Sequence, residues 1–313
     1  MKNPLLHKKR IRRITSFFNS GAGLRFIPYG LGVKYISWFC STRFAQRKYF
    51  NKKLPIIEEF LQHFPGKYNR TEAVSNFFAL NYLHGWRASS ISRMRGFNLK
   101  RRLKTKGLDE FRDAFALGKG VILLGSHFGL PAATFSLMPR LGYKNFYTII
   151  GEKGAESVKF KGVKDAWKPK LLVFKRGGES DAFSMLFEAK ELLEQGNILH
   201  LLGDGAHGRA SHNLPFLGKM RGYRATFAEL AILTGSPVVP VFVIPRKGKF
   251  VLEFLPALNQ GTDEQDREER VLQIVKQYSE LLEERWRNEP AMINGGFMEM
   301  FNRQIQADDS LLN

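Results

Sequence analysis

Two short clusters hold the side chains best suited to moving a proton. Gly125-Ser126-His127-Phe128-Gly129 follows the apolar run Val121–Leu124, and Gly203-Asp204-Gly205-Ala206-His207-Gly208-Arg209 follows Ile198–Leu202. A histidine among small residues just past a buried strand can meet a substrate closely and take its proton near neutral pH. Asp204 lies at the mouth of the neighbouring candidate strand. Gly129 offers a backbone N–H to a developing oxyanion, with Phe128 beside it as part of an apolar wall. Arg209, His212, Lys219, Arg221 and Arg224 form a basic stretch around Pro215-Phe216-Leu217-Gly218, and Arg209, His212 and Arg224 are its candidate phosphate ligands. His200, inside an apolar run, is expected in the core. Cys40 is the single cysteine, and no Cys/His cluster has zinc-ligand spacing, so neither an internal disulfide nor a metal is expected.

These groups need a scaffold, and the pattern describes one. Helical spacing over 108–117, 182–193 and 225–233 alternates with apolar strands at 121–124, 198–202 and 238–243, each pair punctuated by glycine. A further strand at 250–255 forms a hairpin with its predecessor across Arg246-Lys247-Gly248-Lys249, and 263–288 reads as an amphipathic closing helix. Alternating helices and wholly apolar strands imply an α/β fold, a largely parallel sheet covered by helices on both faces. In such sheets the chemistry sits at the carboxyl ends of the strands, where His127 and Asp204 both fall.

Charge divides the chain differently. Of 49 Lys plus Arg against 29 Asp plus Glu, 13 bases lie in residues 1–53 and 8 in residues 73–108, and neither block contains an acid. The remaining positions hold 28 bases and 29 acids, so the net +20 belongs to the two blocks. Two units follow: residues 1–53, a basic, aromatic membrane-interface segment, and residues 54–313, the α/β domain. The apolar residues between Ile14 and Phe39 are interrupted by Arg25, Lys34, Pro28 and glycines, which disfavours a spanning helix and fits a segment lying in the headgroup layer. Basic blocks interleaved with bulky apolar side chains point to anionic membrane lipids or an acidic partner. Nucleic acid fits less well, because no nucleic-acid-binding motif accompanies the charge.

The run Gly118–Gly129 around His127 resembles the signature block of the lysophospholipid acyltransferase superfamily, most closely its bacterial lipid A late-acyltransferase branch. The Asp204 turn, Pro215-Phe216-Leu217-Gly218, the helix before Gly235, and Pro237–Phe242 with Arg246 follow in matching order. The resemblance implies a peripheral enzyme on the cytoplasmic face of the bacterial inner membrane. It would use no cofactor, taking an acyl group as a thioester on an acidic acyl or peptidyl carrier protein or on coenzyme A, and passing it to a lipid A-type glycolipid.

The family pairs its histidine with an acid five residues on, and here that position is Ala132. The family's carboxylate orients the imidazole and stabilises its cation, so three readings follow: another carboxylate takes its place (Asp204 at the next strand end, Glu152 after the apolar run 146–150, or Glu229 in the helix that follows), a less demanding aminoacyl (for example glycyl) group is transferred, or the domain binds lipid or carrier protein without catalysis.

Overall fold

The computed structural model describes residues 28–49, 51–64, 70–81, 84–152, 155, 168–174, 179–205, 212–262, 264–295, 298 and 301. Among them, the apolar runs become the centre of a seven-stranded sheet. Its strands in chain order are β1 (Leu103–Lys106), β2 (Val121–Gly125), β3 (Phe146–Gly151), β4 (Lys170–Phe174), β5 (Ile198–Leu202), β8 (Val238–Arg246) and β9 (Lys249–Phe254). The spatial order is β1-β9-β8-β2-β5-β3-β4, and every pairing is parallel except the β8–β9 hairpin. Strands β2 and β8 are buried almost throughout, which is why their sequences are continuously apolar rather than alternating.

Eleven helices accompany the sheet among the described residues: α1 (Tyr29–Ser41), α2 (Arg43–Tyr49), α3 (Leu54–Gln62), α4 (Arg70–Asn81), α5 (His84–Arg93), α6 (Gly96–Arg102), α7 (Leu108–Ala116), α8 (Pro131–Arg140), α9 (Glu179–Glu194), α10 (Thr226–Thr234) and α11 (Arg267–Asn288). Helix α11 opens where the Asp266 carboxylate accepts the Glu268 N–H, and it buries Val271, Ile274, Val275, Tyr278, Leu282 and Trp286 along one stripe. Helix α1 sends Tyr29, Val33, Ile36 and Cys40 into the same core and leaves Leu31, Tyr35 and Trp38 exposed. Burial pushes the Cys40 thiol up to about 12, so it stays protonated and packs as a small apolar group. No helix among the described residues is long and apolar enough to cross a membrane.

Three elements depart from the sequence reading. The second basic block contains an edge strand, β1, whose Lys104 and Lys106 are exposed, a common way to blunt a sheet edge. Arg87, expected on the basic surface, is buried and donates to the Ala79 carbonyl at 2.6 Å. The stretch around Pro215–Gly218 forms a hairpin of β6 (His212–Phe216) and β7 (Lys219–Tyr223), and its turn residues Leu217 and Gly218 both have positive φ, as a two-residue hairpin turn requires.

Candidate active site

Sheet register brings the two sequence clusters together. Strands β2 and β5 run parallel with Gly125 opposite Leu202, and the Gly203 N–H extends the ladder by donating to the Gly125 carbonyl at 3.0 Å. His127 and Asp204 each lie two residues past that last pair and meet side by side. Asp204 Oδ1 stands 2.8 Å from His127 Nδ1, and its Oδ2 accepts the His127 backbone N–H at 2.6 Å. One carboxylate thus grips both the ring and the backbone of the histidine. Because a carboxylate only accepts, Nδ1 is the donor in this pair, so in the neutral ring the lone pair falls on Nε2.

The pair is asymmetric in exposure. The Asp204 side chain is 1% exposed and that of His127 29%, so the acid is sealed beneath a base that reaches the surface. Beneath Asp204, Arg221 donates from Nη2 to its carbonyl at 3.0 Å, while the guanidinium lies 4.7 Å from the Phe216 ring centroid and 5.3 Å from that of Trp286. Beneath His127, Tyr278 donates its hydroxyl to the Gly125 carbonyl at 2.8 Å. Burial, reinforced by the nearby Asp204 charge, raises the Tyr278 pKa well above the ordinary phenol range and keeps that donor protonated.

The turn after His127 is fixed as firmly. Its carbonyl accepts the Asn294 N–H at 3.1 Å, the Gly129 N–H donates to the Met292 carbonyl at 2.7 Å, and the Leu130 N–H donates to Val243 at 2.8 Å. A Cβ on Gly129 would stand 2.3 Å from the Val243 carbonyl oxygen, so close backbone approach as well as its φ of 72° demands glycine. The expectation that Gly129 donates to an oxyanion is corrected here, since that N–H already serves Met292. Phe128 packs its ring edge-on to Phe242 in the buried core.

The remaining candidates are distributed around this pair. Glu152 is exposed past the end of β3 and makes no hydrogen bond or ion pair among the described residues, so the carboxylate on His127 is that of Asp204. Glu229 is half-buried in α10. Ala132 is the second residue of α8, at the position the resemblance assigns to the acid. His212 opens β6 opposite Tyr223, and Arg224 is half-buried between β7 and α10. Arg209 lies outside the described residues. The support from Tyr278, Trp286, Met292 and Asn294 had no signal in spacing, because it arrives from the far end of the chain. Among the described residues no three His, Cys, Asp or Glu gather closely enough to hold a metal ion.

Comparison with known proteins places the chain in a family. Residues 87–292 match a family model described as bacterial lipid A biosynthesis acyltransferase. That span begins in α5, contains the whole described sheet with β1 and β9 at one side, and ends at Met292, the partner of Gly129. A search of curated proteins finds no match.

Proposed function

The chain belongs to the bacterial lipid A biosynthesis acyltransferase family, whose reaction is acyl transfer to a lipid A-type acceptor, and from that premise we propose that His127 and Asp204 form its general-base dyad. The observation that carries the reading is the double grip of Asp204 on the ring and backbone of His127. It supplies from β5 the acid that Ala132 cannot, and so favours the first of the three readings drawn from the sequence.

The chemistry follows from the tautomer. Nε2 of His127 takes the proton of an acceptor hydroxyl as the oxygen attacks the carbonyl carbon of a thioester, and Asp204 stabilises the imidazolium that forms. The tetrahedral intermediate collapses with cleavage of the C–S bond, and the imidazolium returns the proton to the departing sulfur. An ester and a free thiol result. The positive end of α8, which opens at Pro131 four residues after His127, favours the developing negative charge. A positioned base of this kind contributes roughly 10²–10⁴-fold.

The donor in this reading is a thioester on an acidic carrier protein or coenzyme A. The enzyme sits peripherally on the cytoplasmic face of the inner membrane. The exposed Leu31, Tyr35 and Trp38 of α1 and the acid-free basic segments support that placement. Mass spectrometry of a lipid A acceptor incubated with the protein and acyl thioesters tests it. A mass gain of one acyl group is expected with the wild type and none with His127→Ala. The size of the gain names the group, fatty acyl or aminoacyl. Transfer at the wild-type rate by His127→Ala rejects the dyad.

A further inference from the structure

Four arginines converge on a cavity that takes no part in the chemistry above. Arg93, Arg95, Arg101 and Arg102, with Tyr29 and Asn98, line a space of about 300 Å³ where the start of α1 meets α5 and α6. Arg102 is held in place: Nη1 donates to the Gly248 carbonyl at 2.7 Å, and the guanidinium lies 5.5 Å from the Tyr29 ring centroid. A Cβ on Gly30 would stand 3.1 Å from that Nη1, so the glycine makes room for it. No acid occurs between Ala73 and Leu108, so the charge of this segment is wholly positive.

Size, donor type and surroundings select the ligand. About 300 Å³ is the lower limit for a small-molecule site, enough for a headgroup and too little for a macromolecule. Guanidinium forks match phosphate oxygens, and a terminal phosphate offers three of them with nearly two charges. Apolar side chains flank the opening. Phe97, in the first turn of α6, is 75% exposed with its ring 5.8 Å from the Arg101 guanidinium, and α1, which starts at the pocket, carries exposed Leu31, Tyr35 and Trp38 at i, i+4 and i+7. That combination suits a bilayer surface.

We propose that this pocket binds the terminal phosphate of a membrane-lipid headgroup, anchoring the enzyme by recognition rather than by diffuse charge alone. The site does not depend on the reaction at His127. Its test is co-sedimentation of the full chain with phosphatidylcholine vesicles containing phosphatidic acid or, at matched surface charge, phosphatidylglycerol. Wild type and His127→Ala are expected to bind the phosphatidic acid vesicles about tenfold more tightly, the increment of one strong charge-assisted hydrogen bond.

The double variant Arg95→Lys with Arg101→Lys keeps the charge and loses the fork, so it should bind both vesicles alike. Lys100→Gln with Lys104→Gln should weaken both equally and leave the ratio intact. Equal binding by the wild type, or an unchanged ratio in the folded lysine variant, overturns the proposal. So does displacement by glycerol 3-phosphate at the same concentration as the lipid, which would identify a site for free phosphate.

Discussion

His200 lies within one strand and His127 just past the end of its parallel neighbour, and their surroundings differ sharply. His200 lies mid-strand in β5, opposite Leu123, 1% exposed and wedged between Phe135 and Phe146, with ring centroids 5.3 and 5.8 Å away. Its Nδ1 meets the Thr148 hydroxyl at 3.1 Å, its buried Nε2 has no hydrogen-bond partner, and burial lowers its pKa to about 3. A Cβ on Gly125 would stand 2.9 Å from that Nε2 and 2.8 Å from Leu202 Cδ2, so the last residue of β2 must be small to fit beside His200. His127, two residues past the end of its strand, has a carboxylate on Nδ1 and a side chain that is 29% exposed. Residue type alone therefore says little about role. Position along the strand decides whether the imidazole reaches the surface or fills the core.

The largest effects should fall on the exposed histidine. His127→Ala is expected to lower transfer about 10³-fold while leaving the melting temperature nearly unchanged, since a half-exposed ring at a strand end supports little of the core. Steady-state kinetics beside a thermal melt checks both parts. Asp204→Asn comes next, at about 10²-fold or more, because an amide can present its N–H to Nδ1 and stabilise the wrong tautomer. Adding Ala132→Glu to Asp204→Asn should not restore the rate if the grip from β5 is what matters. Full restoration would show that position 132 still reaches the base.

Why one histidine stood out from sequence while its partner stood among three follows from what a sequence encodes. The buried strands β2, β5 and β8 are legible as apolar runs that follow a glycine, β9 as the hairpin partner of β8, and so is the placement of His127 and Asp204 at strand mouths. That β2 lies beside β5 and not β3 is a matter of crossover topology, which leaves no local pattern. The equal two-residue offset from the Gly125–Leu202 pair becomes visible only with the register. Strand β1 was hidden because Lys104 and Lys106 read as part of a charged surface, and Arg87 because a buried arginine looks like any other in a basic run. Arg221 makes the β6–β7 hairpin look like a basic stretch in sequence, yet that arginine is buried against aromatic rings and donates to the Asp204 carbonyl.

The buried histidine should reveal itself through pH rather than rate. Its folded pKa lies below the unfolded value of about 6.5, so the neutral ring's contribution is fully present above pH 6.5. It is lost as pH falls toward 3, because the unfolded chain takes up the proton first. The expected loss is about 1.4 kcal/mol per pH unit, or roughly 2 kcal/mol between pH 6.5 and 5. Urea unfolding at both pH values should show that difference shrinking in His200→Leu. An unchanged difference would mean that other groups govern acid sensitivity.

The smallest effect sharpens the comparison most, because it removes the neighbour of His200 as Asp204→Asn alters that of His127. Thr148→Val keeps the shape of a buried side chain and deletes the hydroxyl next to His200 Nδ1. With both ring nitrogens then lacking a partner, the protein should lose about 1 kcal/mol of stability, and transfer at saturating substrate should stay within about twofold. The two substitutions act on neighbouring strands of one sheet, and their outcomes should separate cleanly: rate without much stability for Asp204→Asn, stability without rate for Thr148→Val. A Thr148→Val enzyme as slow as Asp204→Asn would tie the mid-strand histidine to the reaction and end the division drawn between them.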